Sequence, residues 1–332
     1  MSSSSHDYPA DSERGHPLNR SFQAWFDAAR MDRLELTIAE VAMAKRYQYV
    51  FVSGFHNEMM PLYFWGNIRE LRRLGVAASQ IHRIHPSSHA TFQEIIEWLA
   101  DTITRLITRN PIPLVFIGHS RGACATLAMA LRGARKFHAH IEALILIQGP
   151  FGGTVIADYV TDRSKEFPNH WPTRRLGVAR SLGTIERLAL WLGLDRGLLD
   201  LTHESSRRFW RDCLDTCRAD AEEYASEIER KSYFITSCIH PSRSRFPRSE
   251  LGWILQESDG PNDGVVALAD QSLEGIGTQI GPLNAAHTDL IWGLYSTSEA
   301  RNDRRALTRS IIRMLAVQCR IGCQEQPGDT PR

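Results

Sequence analysis

Apolar positions along the chain follow two spacings that alternate. Short, dense runs rich in β-branched and aromatic residues read as strands: Tyr47 to Val52 ("YQYVFV"), Leu114 to Ile117, Ile141 to Ile147 ("IEALILI"), "SYFITSCI" from Ser232, and a shorter "GVVAL" from Gly264. "IEALILI" is apolar almost throughout, as a parallel strand covered on both faces must be. Between these runs, apolar residues recur at helical spacing. Residues 33–45 read as a short helix, and another begins near Trp65 and runs to about residue 74. From Thr91 to Ile107 the stripe Phe92, Ile95, Leu99, Ile103 and Leu106 marks an amphipathic helix, with Thr91 and Glu94 placed as a capping box. After Ser120, Ala123, Ala125, Leu127, Ala128 and Leu131 continue as a helix.

Strands alternating with helices predict an α/β architecture, a mostly parallel central sheet with helices on both faces. The alternation stops between residues 154 and 230, where the pattern is helical with charged stretches, and this segment is expected to be a helical insertion over one end of the sheet. The expected organisation is a disordered polar tail over 1–30, a single domain over 31–320 that contains the insertion, and a flexible tail over 321–332.

The chain has 332 residues, 42 % of them hydrophobic and 23 % charged, as in an ordinary globular protein. Lys and Arg number 39 against 38 Asp and Glu, a balance that argues against binding driven by phosphate neutralisation while leaving room for a local basic patch, and no nucleic-acid partner is expected. No apolar stretch reaches the ~18 residues that a transmembrane helix needs. The N-terminus lacks the apolar core of a secretory signal, which points to the cytoplasm. Six cysteines show no CxxC pair and are expected to be reduced thiols, with metal or disulfide roles less favoured.

The chemistry concentrates in Gly118-His119-Ser120-Arg121-Gly122, which stands where a strand becomes a helix. A serine at a sharp strand-to-helix turn needs small residues two positions away and projects its Oγ at the carboxyl end of the sheet, beside a helix N-terminus that favours a developing anion. The bland alternative is a serine that caps an ordinary helix. A hydroxyl nucleophile needs a base, and the base needs an acid to orient it. His287, in "NAAHTDLIWG" after the last strand signal, is the preferred base. "ESDGPNDGVV" offers Asp263 as the preferred acid and Asp259 as the next. Backbone N–H groups of Phe55 and Arg121 are the expected oxyanion donors, with Gly54 letting substrate approach and His56 a further polar contact. His119 and Phe151, together with Leu188 and Trp191 in the insertion, complete the expected pocket and lid. The stripe Leu182, Ile185, Leu188, Trp191 and Leu192 faces either a core or, as a mobile lid, a transient lipid interface. His82, His85 and His89 form a small cluster, read as a loop entering the next helix in preference to a metal site.

These segments together resemble the bacterial triacylglycerol lipases of the α/β-hydrolase fold. "VSGF" stands at that family's oxyanion segment, and "YFWGNIRELRRLGV" is similar to its Tyr-Phe-x-Gly helix and following strand. "IQGPFGGTVIADYV" resembles the stretch that leads into the lid, and "LDLTHESSRRF", "NDGVV" and "HTDLIWG" match later segments. The resemblance spans roughly residues 47 to 315. It implies a Ser120–Asp263–His287 triad, Phe55 and Arg121 as oxyanion donors, and a hydrophobic ester or lipid as substrate. This chain has Ser53 where the family has His, Ala123 where a third Gly is common, and Phe151 where the family has another His. Relatives often hold a structural calcium, for which Asp289 matches one ligand position, but Gly293 stands where a Gln ligand would be. No cofactor is therefore expected. The expected activity is hydrolysis of carboxylic esters through an acyl-enzyme. An acyltransferase on the same scaffold and a non-catalytic binding protein that kept the fold are the rival readings.

Overall fold

The computed structural model describes residues 16–55, 57–161, 195–239, 260–292 and 298–324. Six strands form one sheet in the order β2-β1-β3-β4-β5-β6. They are β1 (Gln48–Val52), β2 (Ile81–Ile84), β3 (Leu114–His119), β4 (Ile141–Ile147), β5 (Ser232–Cys238) and β6 (Thr278–Asn284), and every pairing is parallel. Parallel neighbours need crossovers, and the helices supply them.

Alternate residues of each strand face opposite layers. Tyr49, Phe51, Val115, Ile117, Ile145 and Ile147 join the core under α1 (Pro17–Arg30), α3 (Trp65–Arg73) and the C-terminal helix Ser298–Gln324. Val50, Val52, Leu114, Phe116, Leu144 and Leu146 join the opposite core, under α4 (Phe92–Arg109), α5 (Arg121–Arg132) and the long helix His203–Arg230. The expected capping box is present: the N–H of Glu94 donates to Thr91 Oγ1, and the N–H of Thr91 donates to Glu94 Oε2 at 2.6 Å.

Register at the carboxyl edge sets up the site. Val52 lies opposite Gly118, and His119 lies opposite Ile147. The loops that follow β1, β3 and β4 therefore leave the sheet side by side, where ligands bind in parallel sheets.

Three expectations change. Residues 17–30 are not a disordered tail: Leu18, Phe22, Phe26 and Ala29 are buried on one face of α1, which packs on the C-terminal helix, and Arg30 pairs with buried Asp303 at 2.7 Å. That helical stripe lies beyond the polar first residues that suggested disorder. "GVVAL" is a turn and not a strand. The last strand is β6, whose internal Gly281-Pro282 hid it and which sits at the sheet edge, where proline is tolerated. The C-terminal helix runs to Gln324, past the expected domain end at 320. In the insertion the structure describes α7 (Val155–Thr161), the helix Asp195–Leu199 and the helix His203–Arg230; Leu188 and Trp191 lie outside the described residues.

His82 and His85 do not converge on a metal. His82 Nε2 meets Gln48 Oε1 at 2.9 Å, and His85 Nδ1 meets Ser53 Oγ at 2.9 Å. Cys124, Cys213, Cys217, Cys238 and Cys319 form no disulfide bond among the described residues.

His203 fastens the insertion to the loop beyond Asp263. Its Nδ1 donates to Asp158 Oδ2 of α7 at 2.6 Å, and its Nε2 lies 3.3 Å from Asp270 Oδ2. Hydrogen bonding to the two carboxylates raises its pKa to about 9. A folded pKa raised above the unfolded one contributes stability that is complete below about pH 6.5 and is lost as pH rises through about 9. We expect His203→Gln to be less stable than the wild type in urea at pH 6, and the gap to close by pH 10. A gap of equal size at both pH values would show that the charge on His203 does not contribute.

Candidate active site

β3 ends at His119 and α5 begins at Arg121, which leaves Ser120 alone to reverse the chain. It does so at φ 54°, ψ −131°, a conformation that costs a non-glycine residue about 1–3 kcal/mol. The turn is held in the sheet by the Ser120 N–H, which donates to the Ile147 carbonyl at 2.9 Å. The two glycines permit it sterically. A Cβ on Gly118 would lie 2.7 Å from Ala123 Cα, and one on Gly122 would lie 2.5 Å from the carbonyl oxygens of Val52 and Ser53.

The loop after β1 closes against this turn. A Cβ on Gly54 would sit 2.8 Å from Ser120 Cβ and 2.9 Å from the His119 carbonyl oxygen, so the next residue, Phe55, starts beside the serine. Arg121 is the first residue of α5, and its N–H has no acceptor within the helix. His56 lies outside the described residues.

Asp263 and His287 are in contact. His287 Nδ1 donates to Asp263 Oδ2 at 2.8 Å, and the His287 N–H donates to the Asp263 carbonyl at 2.9 Å. The other carboxylate oxygen, Oδ1, accepts from the N–H groups of Val265 and Val266, both at 2.9 Å. The "GVVAL" segment is thus the turn that fixes the acid's rotamer. Asp259, the alternative acid, lies outside the described residues. Asp289 Oδ2 accepts from the Ala286 N–H at 3.1 Å and closes the turn that carries His287. A calcium ion takes six to eight oxygens, and no group of three or more His, Cys, Asp or Glu side chains converges among the described residues.

Two expected pocket residues have other roles. Phe151 is buried in the core, with its ring centroid 4.9 Å from that of Phe234 and 5.3 Å from that of Trp210. His119 is 1 % exposed, with Nδ1 2.6 Å from the Tyr63 hydroxyl and Nε2 2.6 Å from the His287 carbonyl. Tyr63 had no assigned role in the sequence, although it opens the quoted "YFWGN". The Arg121 side chain was also unread. Its guanidinium is buried, pairs with Asp200 at 3.0 Å, donates to the Ala90 carbonyl at 2.6 Å and lies 5.7 Å from the centre of the Phe55 ring. Burial pulls its pKa below the ordinary value, while Asp200 opposes that shift. Beside it lies a cleft lined by Gly54, Phe55, Pro86, Ile95, Arg121 and neighbouring serines.

This strand order, with the candidate serine after β3, the acid between β5 and β6 and the histidine after β6, is the α/β-hydrolase fold. The crystal structure of the metagenomic carboxyl esterase MGS0156 is similar, with a TM-score of 0.57 and 18 % identity, over 82 % of this chain and 76 % of that one. The mature form of lipase BlEst2 from Bacillus licheniformis matches with a TM-score of 0.52 and 14 % identity, over 73 % of this chain and 85 % of the other. No protein-family model matches the sequence, and no curated protein does. What the chain shares with these enzymes is the fold.

The backbone contacts at Gly122 give a direct test. Gly122→Ala places its methyl against two carbonyl oxygens that cannot swing aside, so α5 must shift. We expect a loss of about 1–3 kcal/mol in stability and a fall of about 100-fold in the rate at which a fluorophosphonate labels Ser120. Wild-type labelling and stability in the variant would show that the helix does not depend on this close approach.

Proposed function

We propose that the protein is a serine hydrolase that cleaves carboxylic esters with an apolar acyl group through an acyl-enzyme. The observation that carries this reading is the positive-φ serine on a glycine-flanked turn, in a fold that also pairs Asp263 with His287 at 2.8 Å.

His287 Nε2 takes the proton of Ser120 Oγ as the oxygen attacks the ester carbonyl. The N–H groups of Phe55 and Arg121 hold the resulting oxyanion, each such donor contributing about 2.7–4 kcal/mol in the transition state. As the tetrahedral species collapses, His287 returns the proton to the departing alcohol. Water then repeats the sequence on the acyl-enzyme, and the carboxylic acid leaves. Asp263 keeps Nδ1 protonated and stabilises the imidazolium that forms.

The cleft suggests the substrate. Asp200 pairs with the guanidinium of Arg121 on its wall, and Glu58 acts on it electrostatically, so the cleft offers no uncompensated positive charge to an anionic acyl group. A neutral acyl chain fits this best.

Hydrolysis of p-nitrophenyl esters from acetyl to palmitoyl tests the reading. We expect kcat to fall by roughly 10⁴–10⁶ in Ser120→Ala and 10³–10⁴ in Asp263→Asn. Equal rates in the wild type and Ser120→Ala would sink the serine mechanism.

A further inference from the structure

Tyr63, His119 and the main chain of the candidate site form a connected series of buried hydrogen bonds. The Gly54 N–H donates to the Tyr63 hydroxyl at 3.0 Å, that hydroxyl lies 2.6 Å from His119 Nδ1, and His119 Nε2 lies 2.6 Å from the His287 carbonyl oxygen. Donor and acceptor chemistry leaves one arrangement. A carbonyl only accepts, so Nε2 carries the proton and Nδ1 of the neutral ring is an acceptor. Tyr63 must then donate to Nδ1, and its oxygen is left to accept from Gly54. The direction runs from the Gly54 N–H to the His287 carbonyl, and the Gln148 side chain is a further hydrogen-bond partner of His119. Burial and the nearby His287 hold the His119 pKa well below the ordinary histidine value, so the ring stays neutral. A protonated ring would donate at both nitrogens and leave the Tyr63 proton without an acceptor.

The three backbone segments joined in this way are those the proposed mechanism needs in register. Gly54 precedes the oxyanion donor Phe55, His119 precedes the nucleophile Ser120, and the carbonyl belongs to His287 itself. They come from the loop after β1, the end of β3 and the loop after β6, which share no covalent connection over short range.

We propose that Tyr63 and His119 are positioning residues of the hydrolytic centre, which together set the spacing of the oxyanion loop, the nucleophile turn and the base. The assignment rests on the serine-hydrolase reading above. Neither side chain touches substrate. Removing either leaves the triad and both oxyanion N–H groups chemically intact but lets them drift, and drift of an ångström is enough to cost about 100-fold in rate. Because the two act as one connection, cutting it twice costs little more than cutting it once.

The test uses the full chain and the ester that the wild type hydrolyses fastest. Tyr63→Phe, His119→Phe and the double variant are each expected to lower kcat by roughly 10–100-fold with KM changed by less than about 3-fold, which by the usual reading of mutant kinetics is lost transition-state stabilisation. The double variant should match the worse single variant. Wild-type kcat in a folded Tyr63→Phe, or losses that multiply in the double variant, would overturn the proposal. So would a rise in KM at constant kcat, which would mean substrate contact. Imidazole ¹⁵N NMR reads the wild type directly, with His119 assigned by its absence in the His119→Phe spectrum. An Nε2–H ring that does not titrate between pH 5 and 9 is expected, and an Nδ1–H ring or a midpoint near 6.5 would refute the series. If Ser120→Ala keeps full activity, the hydrolase reading falls and takes this assignment with it. If Ser120→Ala is dead while Tyr63→Phe is unaffected, only the positioning role falls.

Discussion

The structure depends on how closely the start of α5 presses against the end of β1. At Gly122 the main chains of the two elements approach so tightly that a single methyl would sit 2.5 Å from two carbonyl oxygens. That contact forces the one-residue reversal at Ser120 and brings the loop after β1 alongside. It also requires a small-residue helix. Every residue of α5 from Arg121 to Leu131 is buried, and Ala123, Ala125, Ala128 and Ala130 let the helix lie between the sheet and the surrounding helices. The strain of about 1–3 kcal/mol at Ser120 is small against the burial of Leu127, Met129 and Leu131, each of which contributes about 1.5–3 kcal/mol. A turn of this kind is stable only where a large core over-determines it, and here the core closes around it from both faces of the sheet.

A histidine on a loop is a poor candidate for fixed geometry unless the loop is anchored, and the segment around His287 is anchored at successive main-chain groups. The Ala286 carbonyl accepts from Gln148 at 3.1 Å, the Leu290 carbonyl from Asn67 at 3.2 Å, and the Ile291 carbonyl from the Phe64 N–H at 2.9 Å. Asn67 also donates to the Arg304 carbonyl at 3.2 Å, so α3, the C-terminal helix and the histidine loop meet at one buried amide. Unpaired buried polar groups are costly, and each such contact therefore resists displacement of the loop. The quoted "YFWGN" stretch works in this way: Phe64 and Asn67 bond directly to the segment that carries His287, and Tyr63 reaches it through His119.

The parts of the fold that were readable from sequence are those set by local patterning. The strands β1, β3, β4 and β5 are dense apolar runs, and α4 and α5 have clear helical spacing, so both the parallel sheet and the serine on its turn could be read directly. Turn chemistry at "NDG" and chain order singled out Asp263 and His287, two side chains that lie 2.8 Å apart in the structure. Other features depend on distant partners. α1 was read as a tail because its apolar stripe is short and its value lies in the C-terminal helix, more than 270 residues away, where Arg30 meets Asp303. β6 was missed because Gly281 and Pro282 are tolerable only at an edge whose position the sequence does not state. Tyr63 and His119 look like ordinary neighbours of a motif. Their bond joins positions 56 apart in the chain, and His119 reaches 168 residues further, to His287.

The described end of the insertion meets the same corner of the molecule. Asp200 accepts from Arg121 Nη2 at 3.0 Å and from the Phe92 N–H at 2.6 Å, so one carboxylate neutralises the guanidinium and satisfies the N-terminus of α4, where the helix dipole favours negative charge. Just before it, Gly197 lies so close to the loop after β2 and to Phe55 that a Cβ would fall 2.4 Å from the Ser88 carbonyl oxygen and 2.9 Å from the Phe55 ring. The side chains of both Phe55 and Arg121 lie against this one short segment. Because Arg121 is buried, loss of Asp200 would leave a charge with little access to water, at a cost well above that of a surface pair. Residues 195–200 therefore cannot change position without disturbing the side chains of the residue that follows Gly54 and the residue that follows Ser120.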